Sequence, residues 1–141
     1  MLDVTNKDYI AVVQCDIVME RCSGYGCERS FFQRTGGFAA YPKDRPYRIV
    51  YMTCGGCCGR AVQRKLTNLV RRLRKDGISK DQIVVQLSSC MTKDNFHAPP
   101  CPHLEYIRTL IGRVGLDVCS DTLVHPLSEK RRGEGRYGCG G

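Results

Sequence analysis

A three-layer α/β sandwich around a mostly parallel central sheet of about four strands is the fold this chain predicts, from three observations. Short apolar runs of strand length recur along it. Stretches with apolar residues at three- and four-residue spacing separate them, as helices do. Each apolar run also ends on a cysteine: YIAVVQC to Cys15, YRIVYMTC to Cys54, IVVQLSSC to Cys90 and LDVC to Cys119. Near-continuous apolar runs joined by helical crossovers are the pattern of a parallel sheet, whose strands all point their C-terminal ends the same way.

The elements follow in order. The first strand is expected over 8–15 and is followed by a helix over about 24–34. The second strand, 47–54, leads through a glycine- and cysteine-rich turn into a helix over about 59–75. That helix carries Val62, Leu66, Leu69, Val70 and Leu73 as a core-facing stripe, and Asp76-Gly77 closes it. A third strand, 82–89, precedes a helix over about 102–113. Pro102 suits its first turn, Leu104, Ile107, Leu110, Ile111 and Val114 form its stripe, and Gly112 and Gly115 end it. The last strand is 116–119. Strand, helix, strand in alternation gives right-handed crossovers and a Rossmann-like or flavodoxin-like sandwich. Residues 1–129 form one domain, and 130–141 (KRRGEGRYGCGG) a basic, glycine-rich tail expected to be mobile.

Composition bounds the function. At 141 residues the chain buries a core without disulfide staples, so its ten cysteines need another reason. The first residues, MLDVTNKDYIAVVQC, lack the basic start of a signal peptide, and no run approaches the roughly 18 apolar residues of a membrane span. A cytoplasmic protein is expected, and in a reducing compartment clustered thiols point to metal or redox chemistry. The net charge of +8 sits largely on Arg60, Arg64, Lys65, Arg71, Arg72, Arg74 and Lys75 and in the tail. Those helical cations read as the wet face of a sheet-covering helix. With no helix-turn-helix signature and no aromatic RNA-stacking motif, nucleic-acid binding is not expected.

Adjacent strands lie about 4.8 Å apart, so thiols ending neighbouring strands come together at the edge where α/β sheets gather ligands. The strongest local signal is Cys54-Gly55-Gly56-Cys57, followed by Cys58-Gly59-Arg60, between strand and helix. C-x-x-C lets two thiolates hold one ion or exchange one disulfide, the glycines allow a tight turn, and a helix N-terminus favours thiolate. The first loop adds Cys22 and Cys27, and the third adds Cys101-Pro102-His103. The expected metal ligands are Cys15, Cys54, Cys57 and Cys90, with Cys22, Cys27, Cys101 and His103 as further ligands or a second site. Zinc is the first candidate; four thiolates equally suit an iron–sulfur cluster. Cys119 reads as a packed thiol, His97 as solvated, His125 as ligand or surface residue, and Cys139 as outside any site.

A rival reading is catalytic. Cys54 would be the nucleophile of a thiol oxidoreductase, with Cys57 or Cys58 resolving. Cys54 to Arg60 also fits C-x5-R, the loop that cradles phosphate or arsenate, with Arg60 holding the oxyanion. Ala61 stands where those enzymes commonly have a hydroxyl, and no Asp-Pro general-acid loop is present.

Together, Cys54-Gly55-Gly56-Cys57, the opening strand into Cys15, Glu20–Cys27, Ser88-Ser89-Cys90-Met91 and Cys101-Pro102-His103 make the chain resemble the CGGC-domain proteins of bacteria and archaea. The likeness spans roughly residues 8–125. It implies a metal-binding protein, with zinc suggested by the family's many cysteines and histidines; the expected partners of the chain are the metal ion and, on the redox reading, a redox protein. Cys58 and the tail go beyond the family's pattern.

Overall fold

The computed structural model describes residues 2–93 and 100–124, apart from the Cys57 side chain. His97, His125 and the expected tail with Cys139 lie outside them. Four strands form one sheet: β1 (Tyr9–Gln14), β2 (Arg48–Thr53), β3 (Ile83–Leu87) and β4 (Asp117–Ser120). All neighbours pair parallel, in the order β2-β1-β3-β4. The expected α/β sandwich is the fold.

Every residue of β1 and of β3 is buried, because both strands are central and covered on both faces. Side chains alternate between those faces. Tyr9, Ala11, Val13, Ile83, Val85 and Leu87 pack towards α2 (Ala61–Lys75) and α4 (Leu104–Val114). Those helices supply the expected stripes, Val62, Leu66, Val70 and Leu73 from α2 and Ile107, Leu110, Ile111 and Val114 from α4. They also pack on each other. Ile10, Val12 and Val84 point the other way, onto Phe38, Tyr41 and Phe31 of α1 (Tyr25–Gln33). One helix layer therefore covers each face.

Two local details depart from the sequence expectation. The third strand stops at Leu87, and Ser89–Thr92 forms a short helix, α3, so Cys90 sits on a helical turn rather than at a strand end. Ser88 turns the chain there: its N–H still bonds Val13 O at 2.9 Å, while its carbonyl receives Met91 N–H at 2.9 Å. Cys119 lies inside β4, opposite Gln86, and packs on the α1 side.

At the far edge of the sheet, the buried Lys7 ammonium donates to Asp117 Oδ2 and to Asp81 O, both at 2.7 Å. It ties the N-terminal ends of the strands together, away from the cysteines.

Candidate functional site

The strand order sets the position of the site. β1 and β3 are neighbours, but β1 connects outward to β2 and β3 outward to β4. Their C-terminal ends border a crevice where the connections part, the place at which open α/β sheets bind ligands. Cys15 follows β1 directly, and its N–H points to Cys90 Sγ at 3.4 Å. Cys54 follows β2, and its N–H continues the ladder to Gln14 O at 2.9 Å, so that it stands beside the end of β1. Cys101 is drawn in from the far side of the third loop, its N–H bonding Met91 O at 2.8 Å.

These segments enclose a cavity of about 320 Å³. Cys15, Cys54, Cys58, Cys90 and Cys101 line it, with His103 and the apolar side chains of Val18 and Ile107. Asp16 and Arg21 contribute one charge of each sign to the wall. Asp16 is held in place by Thr53, whose Oγ1 donates to Asp16 Oδ1 at 2.7 Å, and Lys65 Nζ donates in turn to Thr53 O at 2.7 Å.

The turn after β2 takes conformations that its glycines make accessible. Gly55, Gly56 and Gly59 all have positive φ, and Cys58 between them is also left-handed at φ 61°. A non-glycine residue in that region is uncommon and strained. Here the turn carries Cys58 to the cavity wall.

Burial governs the thiols. Cys90 is pushed up to about 11 by desolvation, partly offset by the Ser88 hydroxyl at 3.3 Å and the Cys15 N–H. Cys101 is raised by burial first, with the nearby Cys54 and Cys15 thiols adding to it. Both stay protonated at neutral pH until something replaces the proton.

Of the residues expected as ligands, Cys15, Cys54, Cys90, Cys101 and His103 meet at this cavity. Cys22 and Cys27 are not among its lining residues. Cys22 Sγ receives Gly24 N–H at 3.4 Å. Cys27, in the first turn of α1, lies against the Ser88 and Thr122 hydroxyls at 3.3 and 3.2 Å. Cys27 and Cys90 therefore both touch Ser88. Arg60, the cationic end of the C-x5-R spacing, lines an exposed groove along α2 with Gln63 and Arg64. From the sequence Cys58 was expected only as a resolving thiol and not as a metal ligand, and Asp16 and Arg21 were not expected at the site at all; the structure puts all three on the cavity wall.

The donors match a soft metal in kind. Thiolates with an imidazole at the rim suit zinc or iron better than hard, oxygen-seeking ions. Their spacing is wider than a closed ligand shell: among the described residues no three His, Cys, Asp or Glu side chains stand close enough to hold one ion. The Cys57 thiol is not part of that description.

The profile of one protein family, the CGGC domain, matches residues 9–123. No curated protein and no solved structure matches the chain. Among the described residues no helix is long and apolar enough to cross a membrane.

Proposed function

The chain belongs to the CGGC-domain family, and from that membership we propose that it binds a soft metal, as a zinc ion or as an iron–sulfur cluster, through cysteines at the C-terminal edge of its sheet. The observation that carries this reading is the convergence of five thiols from four segments of the chain on one cavity. Cys15, Cys54, Cys90 and Cys101 are the inner ligands, Cys57 joins them through its C-x-x-C spacing with Cys54, and Cys58 and His103 stand at the rim. Cys22 and Cys27 are outer thiols.

Bound zinc would supply a structural tie or a Lewis acid, whereas a cluster would supply one-electron transfer. The protein's own part is to collect the donors and exclude water. Val18 and Ile107 keep the cavity apolar, which strengthens attraction between thiolates and a cation. Arg21 opposes the negative charge that several thiolates would accumulate. Because burial holds the Cys90 and Cys101 protons, loading releases protons and tightens as pH rises.

The test is elemental analysis and absorption spectroscopy on protein purified without air, for wild type, Cys54→Ser, Cys101→Ser and Cys119→Ser. Stoichiometric metal in wild type and Cys119→Ser, lost from the first two variants, is the expected pattern. Iron with acid-labile sulfide and broad visible absorption would identify a cluster; colourless protein with zinc would identify a single ion. Metal-free wild type with freely titrating thiols would overturn the proposal. It would leave Cys54 as the nucleophile of a thiol oxidoreductase, a reading that draws on its position before the N-terminus of α2.

A further inference from the structure

One side of the molecule carries a run of cations that, among the described residues, form no ion pairs. Arg60, Arg64, Arg71, Arg74, Lys80 and Arg113 are all exposed. The first three line a groove with Gln63, Thr67 and Asn68. Arg71, Arg74, Lys80 and Arg113 line a second, which shares Thr67 and Arg71 with the first, so the two run on as one furrow along α2 towards Lys80 and the end of α4. Among the described residues no acidic side chain lines either groove, and α2 itself contains no Asp or Glu. The basic run ends where Asp81 and Asp117 begin.

Among the described residues, none of these six cations has an ion-pair partner, although Lys7, Arg45, Arg48, Lys93 and Arg108 elsewhere do. A helix face that serves only solubility mixes both signs, because i,i+4 pairs of opposite charge stabilise it and like charges destabilise it. An all-cationic face gives up that stabilisation, which a polyanion would restore.

We infer that this furrow binds the phosphate backbone of duplex nucleic acid without regard to sequence. Arginines alternating with neutral donors such as Gln63, Thr67 and Asn68 are the side chains that contact phosphate and sugar. Among the described residues no aromatic side chain lines the furrow, so they offer no platform for stacking the bases of a single strand. A protein partner fits it less well: interface cores are apolar, aromatic and poor in charge, and here only the buried Val70 and Val114 are apolar. The 15 residues of α2 span about 22 Å, long enough to follow several phosphates along one strand. The sequence reading of these arginines as a wet helix face accounts for their exposure but not for the missing acids.

Fluorescence anisotropy of a short labelled duplex, titrated with the full chain, tests this. Six cations on phosphate give a slope of log affinity against log salt near −5, so binding falls roughly a thousandfold from about 50 to about 200 mM salt. The variant Arg71→Glu/Arg74→Glu, checked for folding by circular dichroism, is expected to lose at least about tenfold in affinity and to flatten the slope by about two. Arg131→Glu/Arg132→Glu, in the C-terminal segment, should leave that helix-dependent loss intact. Absence of duplex binding at low salt, or wild-type binding by the α2 variant, overturns the inference. So does displacement of the duplex by polyglutamate at equal charge, which would make an acidic polypeptide the ligand.

Discussion

Gly59 is constrained from two directions at once. Its φ of +74° is costly for any side chain, and a Cβ there would stand 2.5 Å from Ile107 Cγ1 of α4. The turn that carries Cys54 and Cys58 to the cavity can therefore press against α4 only through a glycine. Gly59→Ala is expected to destabilise the protein by about 2 kcal/mol in urea unfolding, from left-handed strain plus crowding. A change within about 0.5 kcal/mol, the range of ordinary surface substitutions, would show that the turn relaxes freely. At this scale the glycines and the C-x-x-C were readable from spacing, because tight turns demand particular residues. That Cys58 shares the left-handed conformation and faces the cavity was not, since a non-glycine adopts it only when surrounding contacts hold it there.

Strand β3 shows what periodicity alone misses in an element. IVVQL reads as one buried apolar run, yet its Gln86 is fully buried and works as a clamp. Its Oε1 accepts the Tyr41 hydroxyl at 2.8 Å, and its Nε2 donates to Asp121 O at 2.7 Å and to Gly37 O at 3.1 Å. The side chain thereby fastens the segment after β4 and the segment after α1 to the centre of the sheet. Gln86→Leu leaves the buried Tyr41 hydroxyl, and the half-buried Gly37 and Asp121 carbonyls, without this partner, at a cost of about 3 kcal/mol in unfolding free energy. A Leu variant as stable as wild type would mean that these groups find other partners. The apolar elements themselves were legible to within two or three residues at most ends, since strands and helices each impose their own period. At the end of the third strand the two-residue difference changes the element itself, because Ser88 starts a helical turn there and puts Cys90 on it.

For the whole molecule, the buried thiols make stability depend on pH. Cys90 rises from an ordinary value of 9.0 to about 11 through burial, and Cys101 and Cys119 are raised for the same reason. The folded chain thus holds these protons more tightly than the unfolded one. The Cys90 contribution is fully present below pH 9 and is lost as pH rises through about 11, amounting to about 3 kcal/mol, and Cys101 and Cys119 act in the same direction. Melting of metal-free protein should accordingly drop in temperature between neutral pH and pH 11, and drop less in Cys90→Ala; a flat profile would contradict it. The sequence by itself determined the α/β class, the helix stripes and the placing of Cys15 and Cys54 just past strands, because these follow from local periodicity and turn chemistry. Only the tertiary structure decided that β1 lies beside β3, that Cys101 joins Cys15, Cys54 and Cys90 while Cys27 turns to Ser88, and that Arg60 faces a groove on α2. Strand order and loop closure arise from long-range packing between segments far apart in the chain, and no local pattern of residues records which segments will meet.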